Sequence, residues 1–199
     1  YKLVEKIKNE NFEENNIIKM HYRPFDFQFI YYKIGITSRP AYTTVKNFLN
    51  NNKNIGLAFT RQNSGVDIFH HCLVSKFIID GGITNSWTYI APLYLYEENS
   101  AGEFKLDSSC KPNWTDSFKE FLKNYISDNP KEILNYIYAI LYSPTYRENY
   151  KEDLKYDYPR IPFTKDKNIF DRLQNLGGEL IDLHLLKKVP QSNAGYPNK

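Results

Sequence analysis

The sequence predicts an α+β chain, a mixed or antiparallel β-sheet lobe followed by a helical lobe, and three observations carry that reading. From Ile17 to Tyr96 apolar side chains fall on alternate positions in short runs, the period of half-buried strands. Beyond Trp114 they recur at spacings of three and four, the period of a helix face. The breakers agree with both: Gly, Asn and Pro separate the early runs, whereas Pro130 and Pro144 each stand just after a residue suited to cap a helix.

Taken in order, residues 1–15 are polar and charged, with Leu3, Val4 and Ile7 as a short apolar face, and read as a linker arriving from an upstream domain. Ile18, Met20 and Tyr22 mark a first strand, and Phe27, Phe29 and Tyr31 a second. The YRPFD segment forms the corner between them, with Arg23 and Asp26 expected to pair across it. Tyr42, Val45, Phe48 and Leu49 share a helix face that the Asn-rich run 50–54 ends. Ile55–Thr60 reads as a buried strand, 68–79 as β-rich, and Trp87–Tyr96 as a strand that Pro92 directs to an edge or bulge.

Residues 99–112 read as a loop. Trp114, Phe118, Phe121, Leu122 and Tyr125 then define a helix, with Ser117 and Glu120 spaced as a capping box. Ile133, Ile137, Ile140 and Leu141 define the next, opened by Asp128 or Asn129 with Pro130; Tyr146, Tyr150 and Leu154 mark one short helix after Ser143-Pro144. A last helix carries Ile169, Leu173, Leu176, Leu180 and Leu183, and Gly177-Gly178 inside it costs about 1 kcal/mol per Gly relative to Ala, so a break or a close packing contact is expected there. The division is therefore linker 1–15, β-rich lobe 16–110, helical bracing lobe 111–187 and flexible tail 188–199.

Composition narrows the function classes. Hydrophobic content is 41% and charge 25% over 199 residues, ordinary for a globular chain. Aromatic content is 16%, with 17 Tyr and 13 Phe, which suits packed cores and partner-facing surfaces alike. Net charge is +3, but residues 15–80 hold eight Lys or Arg against three acids, a +5 segment whose flanks sum to −2. Such a lobe suits a polyanion, although scattered surface lysines give the same count. Two cysteines make no disulfide framework, which favours reduced thiols in the cytoplasm. No apolar run approaches the roughly 20 residues that span a bilayer. The start at Tyr1 rather than Met predicts a fragment whose missing portion lies upstream.

Several segments, read together, are distinctive. They are YRPFDFQFIYY at 22–32, LAFTRQ at 57–62, PLYLY at 92–96, NYIYAILYSPTYRENYKEDLKYDYPRIPF at 135–163 and LGGELIDLHLL at 176–186. In this order they resemble the C-terminal specificity region of type ISP restriction-modification enzymes and of related single-chain adenine-N6 methyltransferase/restriction enzymes. The resemblance runs from about Ile17 to Leu186; Gln28 stands where the family pattern has Arg.

The resemblance implies a non-catalytic target recognition domain that grips double-stranded DNA for an upstream methyltransferase domain of the same chain and for a nuclease. S-adenosylmethionine, Mg²⁺ and ATP would belong to the parent enzyme rather than to this fragment. Consistently, the chain has no Asn/Asp-Pro-Pro-Tyr/Phe motif, no Walker loop, no HExxH and no GxSxG.

Base readout requires Arg for guanine and Asn or Gln for adenine; Arg61, Gln62, Asn63 and Ser64 supply such groups at a strand end beside a Gly turn. The alternative is that Arg61 pairs with a core carboxylate. Lys33, Ser38, Arg39, Lys46, Lys53 and Lys76 are the candidates for phosphate contacts. Arg147 and Arg160 are expected to fasten the helical lobe. His70, His71, Cys72 and Cys110 lack metal-ligand spacing, because adjacent strand residues face opposite ways. Two other functions stay open: a free-standing nuclease built on Asp67 or Asp80 near Lys76, and a protein-interaction module presenting the tyrosine-rich helical lobe.

Overall fold

The computed structural model describes residues 2–37, 41–49, 53–62, 72–84, 86–96 and 110–188. The chain opens with helix α1 (Lys2–Lys8) and one 3₁₀ turn, then enters a hairpin of β1 (Ile17–Arg23) and β2 (Asp26–Tyr31). The corner is tight: Arg23 opposes Asp26, and Phe25 takes φ +64°, the left-handed region that favours glycine. Two contacts accompany this conformation. The Phe25 N–H donates to His21 Nε2 at 3.3 Å, and its ring stands edge-on to His184 at 5.9 Å. Arg23 does not pair with Asp26 as the sequence suggested. Its guanidinium donates to Asp80 Oδ1 at 2.9 Å, and the same oxygen accepts the Gly82 N–H.

Helix α2 (Tyr42–Leu49) leads into β3 (Gly56–Thr60), β4 (Cys72–Ser75), β5 (Ile78–Ile79), β6 (Thr88–Pro92) and β7 (Tyr94–Tyr96). Among the described residues β5 adds parallel to β1, giving the order β2-β1-β5, while β3 is the centre of an antiparallel sheet β4-β3-β6. Pro92 thus closes an edge strand, where its missing N–H costs no ladder bond. The expected loop 99–112 ends in a strand instead: β8 (Cys110–Pro112) pairs antiparallel with β7.

Buried Asn54 sets the entry to β3. Its amide nitrogen donates to the carbonyls of Asn47 and Tyr94 at 3.0 and 2.9 Å, and its oxygen accepts the N–H groups of Ile55 and Tyr94 at 3.0 and 3.2 Å. All four hydrogen bonds of the side chain are made. Asn47 of α2, also buried, accepts the Tyr96 N–H, so Asn47 and Asn54, the last residue of the Asn-rich run, together bind α2 to β7.

The helical half comprises α3 (Asp116–Leu122), α4 (Pro130–Tyr142), α5 (Pro144–Asn149), α6 (Asp153–Tyr156) and α7 (Lys167–His184). The α3 cap is Thr115, whose hydroxyl accepts the Phe118 N–H, rather than a capping box on Ser117 and Glu120. Asn129 caps α4 and Pro130 takes its first turn, as expected. Ser143-Pro144 starts α5, but Tyr150 ends it, and Leu154 belongs to a separate turn, α6.

Helix α7 is continuous through Gly177-Gly178 because the glycines serve packing. A methyl on Gly177 would sit 1.9 Å from the Asn135 carbonyl oxygen, so the α4 and α7 backbones touch there. The line buried against α4 includes Phe170, Gly177 and Ile181. Ile169 and Leu176 of the expected stripe face solvent.

The sheet β4-β3-β6 lies between two packed layers. Ala58 and Leu73 on one face join Ile83 and Ile79, and Gly56 lies against Phe48 of α2. Leu57, Cys72 and Val74 on the other face enter the main core with Leu134, Tyr138 and Leu141. The helical lobe therefore braces the sheet through one shared core.

Candidate nucleic-acid interface

Strand β3 alternates in burial, and its last residue, Thr60, is fully covered. The chain then emerges, so that Arg61 and Gln62 are both exposed at the strand's end. Asn63 and Ser64, the other two residues expected to read bases, lie outside the described residues.

Arg61 meets no core carboxylate among the described residues. Its guanidinium carbon lies 5.8 Å from the centre of the Tyr158 ring, inside the range of an attractive cation–π contact. Tyr158 in turn stands edge-on to Phe59 at 5.6 Å and to Tyr89 at 6.2 Å. Phe59 and Tyr89 are directly opposed across β3 and β6, where cross-strand aromatic pairs stabilise a sheet. The result is an aromatic ledge on which Tyr89 and Tyr158 keep 44% and 40% of their surface exposed, with the Arg61 guanidinium at its rim. Sequence reasoning nominated Arg61 but missed Tyr158. Its signal was its place in the segment Tyr158-Pro-Arg-Ile-Pro162, the end of the distinctive stretch 135–163.

That segment is fastened from below. Tyr136 donates its hydroxyl to the Pro162 carbonyl at 2.6 Å, and Tyr146 to the Arg160 carbonyl at 2.9 Å. Arg160 fastens the lobe by its backbone alone, since its side chain is 91% exposed and 3.6 Å from Asp157. Arg147 does lock the lobe as expected: its Nε donates to the Leu141 carbonyl at 2.6 Å, and its guanidinium lies 4.5 Å over Tyr142.

The described phosphate candidates Lys53 and Lys76 share one end of β3, away from Arg61. Lys53 precedes β3 at the Gly56 end, and Lys76 follows Ser75, which opposes Gly56. Arg61 is at the other end, five residues along from Gly56, roughly 17 Å away. Lys33 lies between two carboxylates, contacting Glu10 and Glu13, the latter at 3.0 Å. Lys46 is partly buried in the last turn of α2. Ser38 and Arg39 lie outside the described residues.

Beneath the ledge the titratable groups are arranged for packing. Burial pushes the Cys72 thiol far above its ordinary range, and the Tyr142 hydroxyl donates to the Cys72 carbonyl at 2.5 Å. Tyr138 is fully buried, with its hydroxyl 2.6 Å from His184 Nδ1. Burial, with the Arg147 charge second, lowers the His184 pKa; burial also lowers that of His21, against the opposing pull of Asp26. Among the described residues no three His, Cys, Asp or Glu side chains gather as a metal site; His70, His71 and Asp67 lie outside them. Asp80, the other acid of a nuclease reading, is engaged by Arg23 and Gly82. No described helix is long and apolar enough to cross a membrane.

Residues 2–198 match the family described as the type ISP C-terminal specificity domain. The chain belongs to that family. The fold of this specificity domain is also found within much longer solved enzymes. It superposes over 97% of its length on the ATP-dependent type ISP restriction-modification enzyme LlaBIII bound to DNA, with a TM-score of 0.77 and 22% identity, covering 12% of that chain. The DrdV–DNA complex matches over 96% of the specificity domain and 18% of its own chain, with a TM-score of 0.72 and 26% identity. A nuclease-deletion mutant of the type ISP enzyme LlaGI, in complex with a DNA substrate mimic, matches over 88% at a TM-score of 0.65 and 26% identity, over 14% of that chain. The specificity domain thus spans less than a fifth of these enzymes. No curated protein sequence matches it.

Proposed function

We propose that this specificity domain grips duplex DNA and supplies sequence readout to an adenine-N6 methyltransferase and a nuclease carried elsewhere in the full-length protein. The observation that carries the proposal is the match of 96% of this chain, at 26% identity, to a protein solved in complex with DNA. The domain itself performs no chemistry and works in the cytoplasm. S-adenosylmethionine, Mg²⁺ and ATP are assigned to the remainder of the protein. Flipping an adenine out of the helix costs a few kcal/mol of stacking, which groove contacts from this domain help offset.

In this reading Arg61 and Gln62, continued by Asn63 and Ser64, reach base edges from the strand end. Lys46, Lys53 and Lys76, with Ser38 and Arg39, touch phosphates, and Lys33 contributes least because Glu10 and Glu13 already hold its charge. The split of Lys53 and Lys76 from Arg61 fits a duplex that follows the direction of β3.

The test is selection from a randomised duplex library on the immobilised full-length protein at low salt, with Arg61→Ala in parallel. A short asymmetric motif is expected, and Arg61→Ala should lose about 1–3 kcal/mol of discrimination at one base pair. Retention of every sequence alike, by both proteins, would refute base readout; no retention of DNA by folded protein would refute the whole reading and favour a protein-interaction module.

A further inference from the structure

The structure assigns Tyr158 as the residue that positions Arg61 for base readout, an inference that rests on the proposed DNA-reading role and deepens it. An arginine reads guanine through two parallel donors in one plane, so its benefit depends on how narrowly that plane is held before DNA arrives. Arg61 leaves the sheet after Thr60, the last residue paired with β6. Its exposed side chain has many rotamers to lose on binding. Among the described residues its guanidinium meets the Tyr158 ring, 5.8 Å from the ring centre. That distance is near the outer limit of a cation–π contact, so the ring restricts the guanidinium without locking it away from a base.

Tyr158 can do this because it is itself held. Its ring rests edge-on against Phe59 and Tyr89. Its N–H donates to Asp157 Oδ1 at 2.8 Å, and Pro159 confines it to extended backbone. The carbonyls of Arg160 and Pro162 are anchored by Tyr146 and Tyr136, both buried in the main core. A continuous strut thus runs from the helical core through the YPRIP segment to the rim where Arg61 stands. Burial alone does not require this arrangement, since the ledge leaves two tyrosine rings partly open to solvent. A cation at its rim gives that exposed ring face a use.

The experiment is a double-mutant cycle in the full-length protein. It compares affinity for a duplex carrying the selected motif with affinity for one changed at the base pair that Arg61 reads. Tyr158→Ala should lower that ratio roughly three- to tenfold, the loss of one cation–π contact and of a preorganised rotamer. Tyr158→Leu, which keeps apolar packing on Phe59 and Tyr89 if the alanine variant folds poorly, should do the same. Tyr158→Phe, which keeps the ring face, should stay within about twofold of wild type. Added to Arg61→Ala, Tyr158→Ala should cost nothing further. Losses that add, or a uniform loss on every sequence, would overturn the positioning role while leaving the DNA-reading function in place. Failure of the wild-type protein to select any motif would instead overturn both.

Discussion

Gly177→Ala should damage this fold severely, whereas Gly178→Ala, one residue away in the same helix, should not. On propensity alone each change favours α7 by about 1 kcal/mol. At Gly177 the added methyl would lie 1.9 Å from the Asn135 oxygen, 2.7 Å from its carbonyl carbon and 3.2 Å from the Ala139 methyl. The first two are backbone of α4 and cannot rotate away. Since a carbon and an oxygen settle no closer than roughly 3.3 Å, α7 must retreat by more than about 1 Å. A gap of that size forfeits about a quarter to a half of the dispersion attraction along the seam. That seam includes Tyr136, Tyr138, Phe170 and Ile181. The net cost should be about 3–5 kcal/mol, at the severe end of overpacking. At Gly178 the nearest atom is the Asn135 side-chain nitrogen at 2.9 Å, which can swing clear. Thermal melts of the purified domain by far-ultraviolet circular dichroism would test the contrast. Gly177→Ala should melt about 6–20 °C lower, at about 2–4 °C per kcal/mol for a chain of this size, and Gly178→Ala at or above wild type. Equal melting of the two variants would refute the claim that α4 and α7 meet backbone to backbone.

Two further outcomes follow from the buried polar groups. His21 and His184 both have lowered pKa values in the fold, chiefly through burial. The unfolded chain therefore takes up protons first as pH falls below about 6.5, and stability, full above that value, should drop by up to about 1.4 kcal/mol per pH unit for each histidine until its folded pKa is reached. Asp116 and Asp182, lowered by their lysine partners, lose their contributions only below the ordinary carboxylate range. Melting temperatures that stay flat from pH 7 to 5.5, or an unchanged slope in a His21→Gln/His184→Gln variant, would refute this. Asn54→Ala strands the carbonyls of Asn47 and Tyr94 and the N–H groups of Ile55 and Tyr94. It should cost about 3 kcal/mol or more in urea unfolding; a cost below about 1 kcal/mol would mean that water replaces the amide.

What the sequence reveals here depends on how far a signal reaches along the chain. Caps, prolines and apolar period act within one turn or one strand, so Asn129-Pro130, Ser143-Pro144 and the strands β1, β2 and β3 were legible, although Phe29, on the expected inner face of β2, is exposed. Strand β8 was not, because three residues become a strand only by pairing with β7, and nothing in Cys110–Pro112 announces that partner. The stripe on α7 was only partly legible: Leu173 and Leu180 pack against the main core, whereas Ile169 and Leu176 face solvent. Helical period alone does not fix which side of such a stripe meets α4. Packing chose the side that carries Gly177, because the face that lets α4 come closest is the face without a side chain. The interface follows the same rule. Arg61 was nominated by its residue type at a strand end, which is local, whereas Tyr158 reaches it only through Phe59, Tyr89 and two tyrosine hydroxyls that pin the YPRIP segment. A candidate reading side chain can thus be picked out by its own chemistry, but the ring beside it belongs to the tertiary fold, and only coordinates bring the two together.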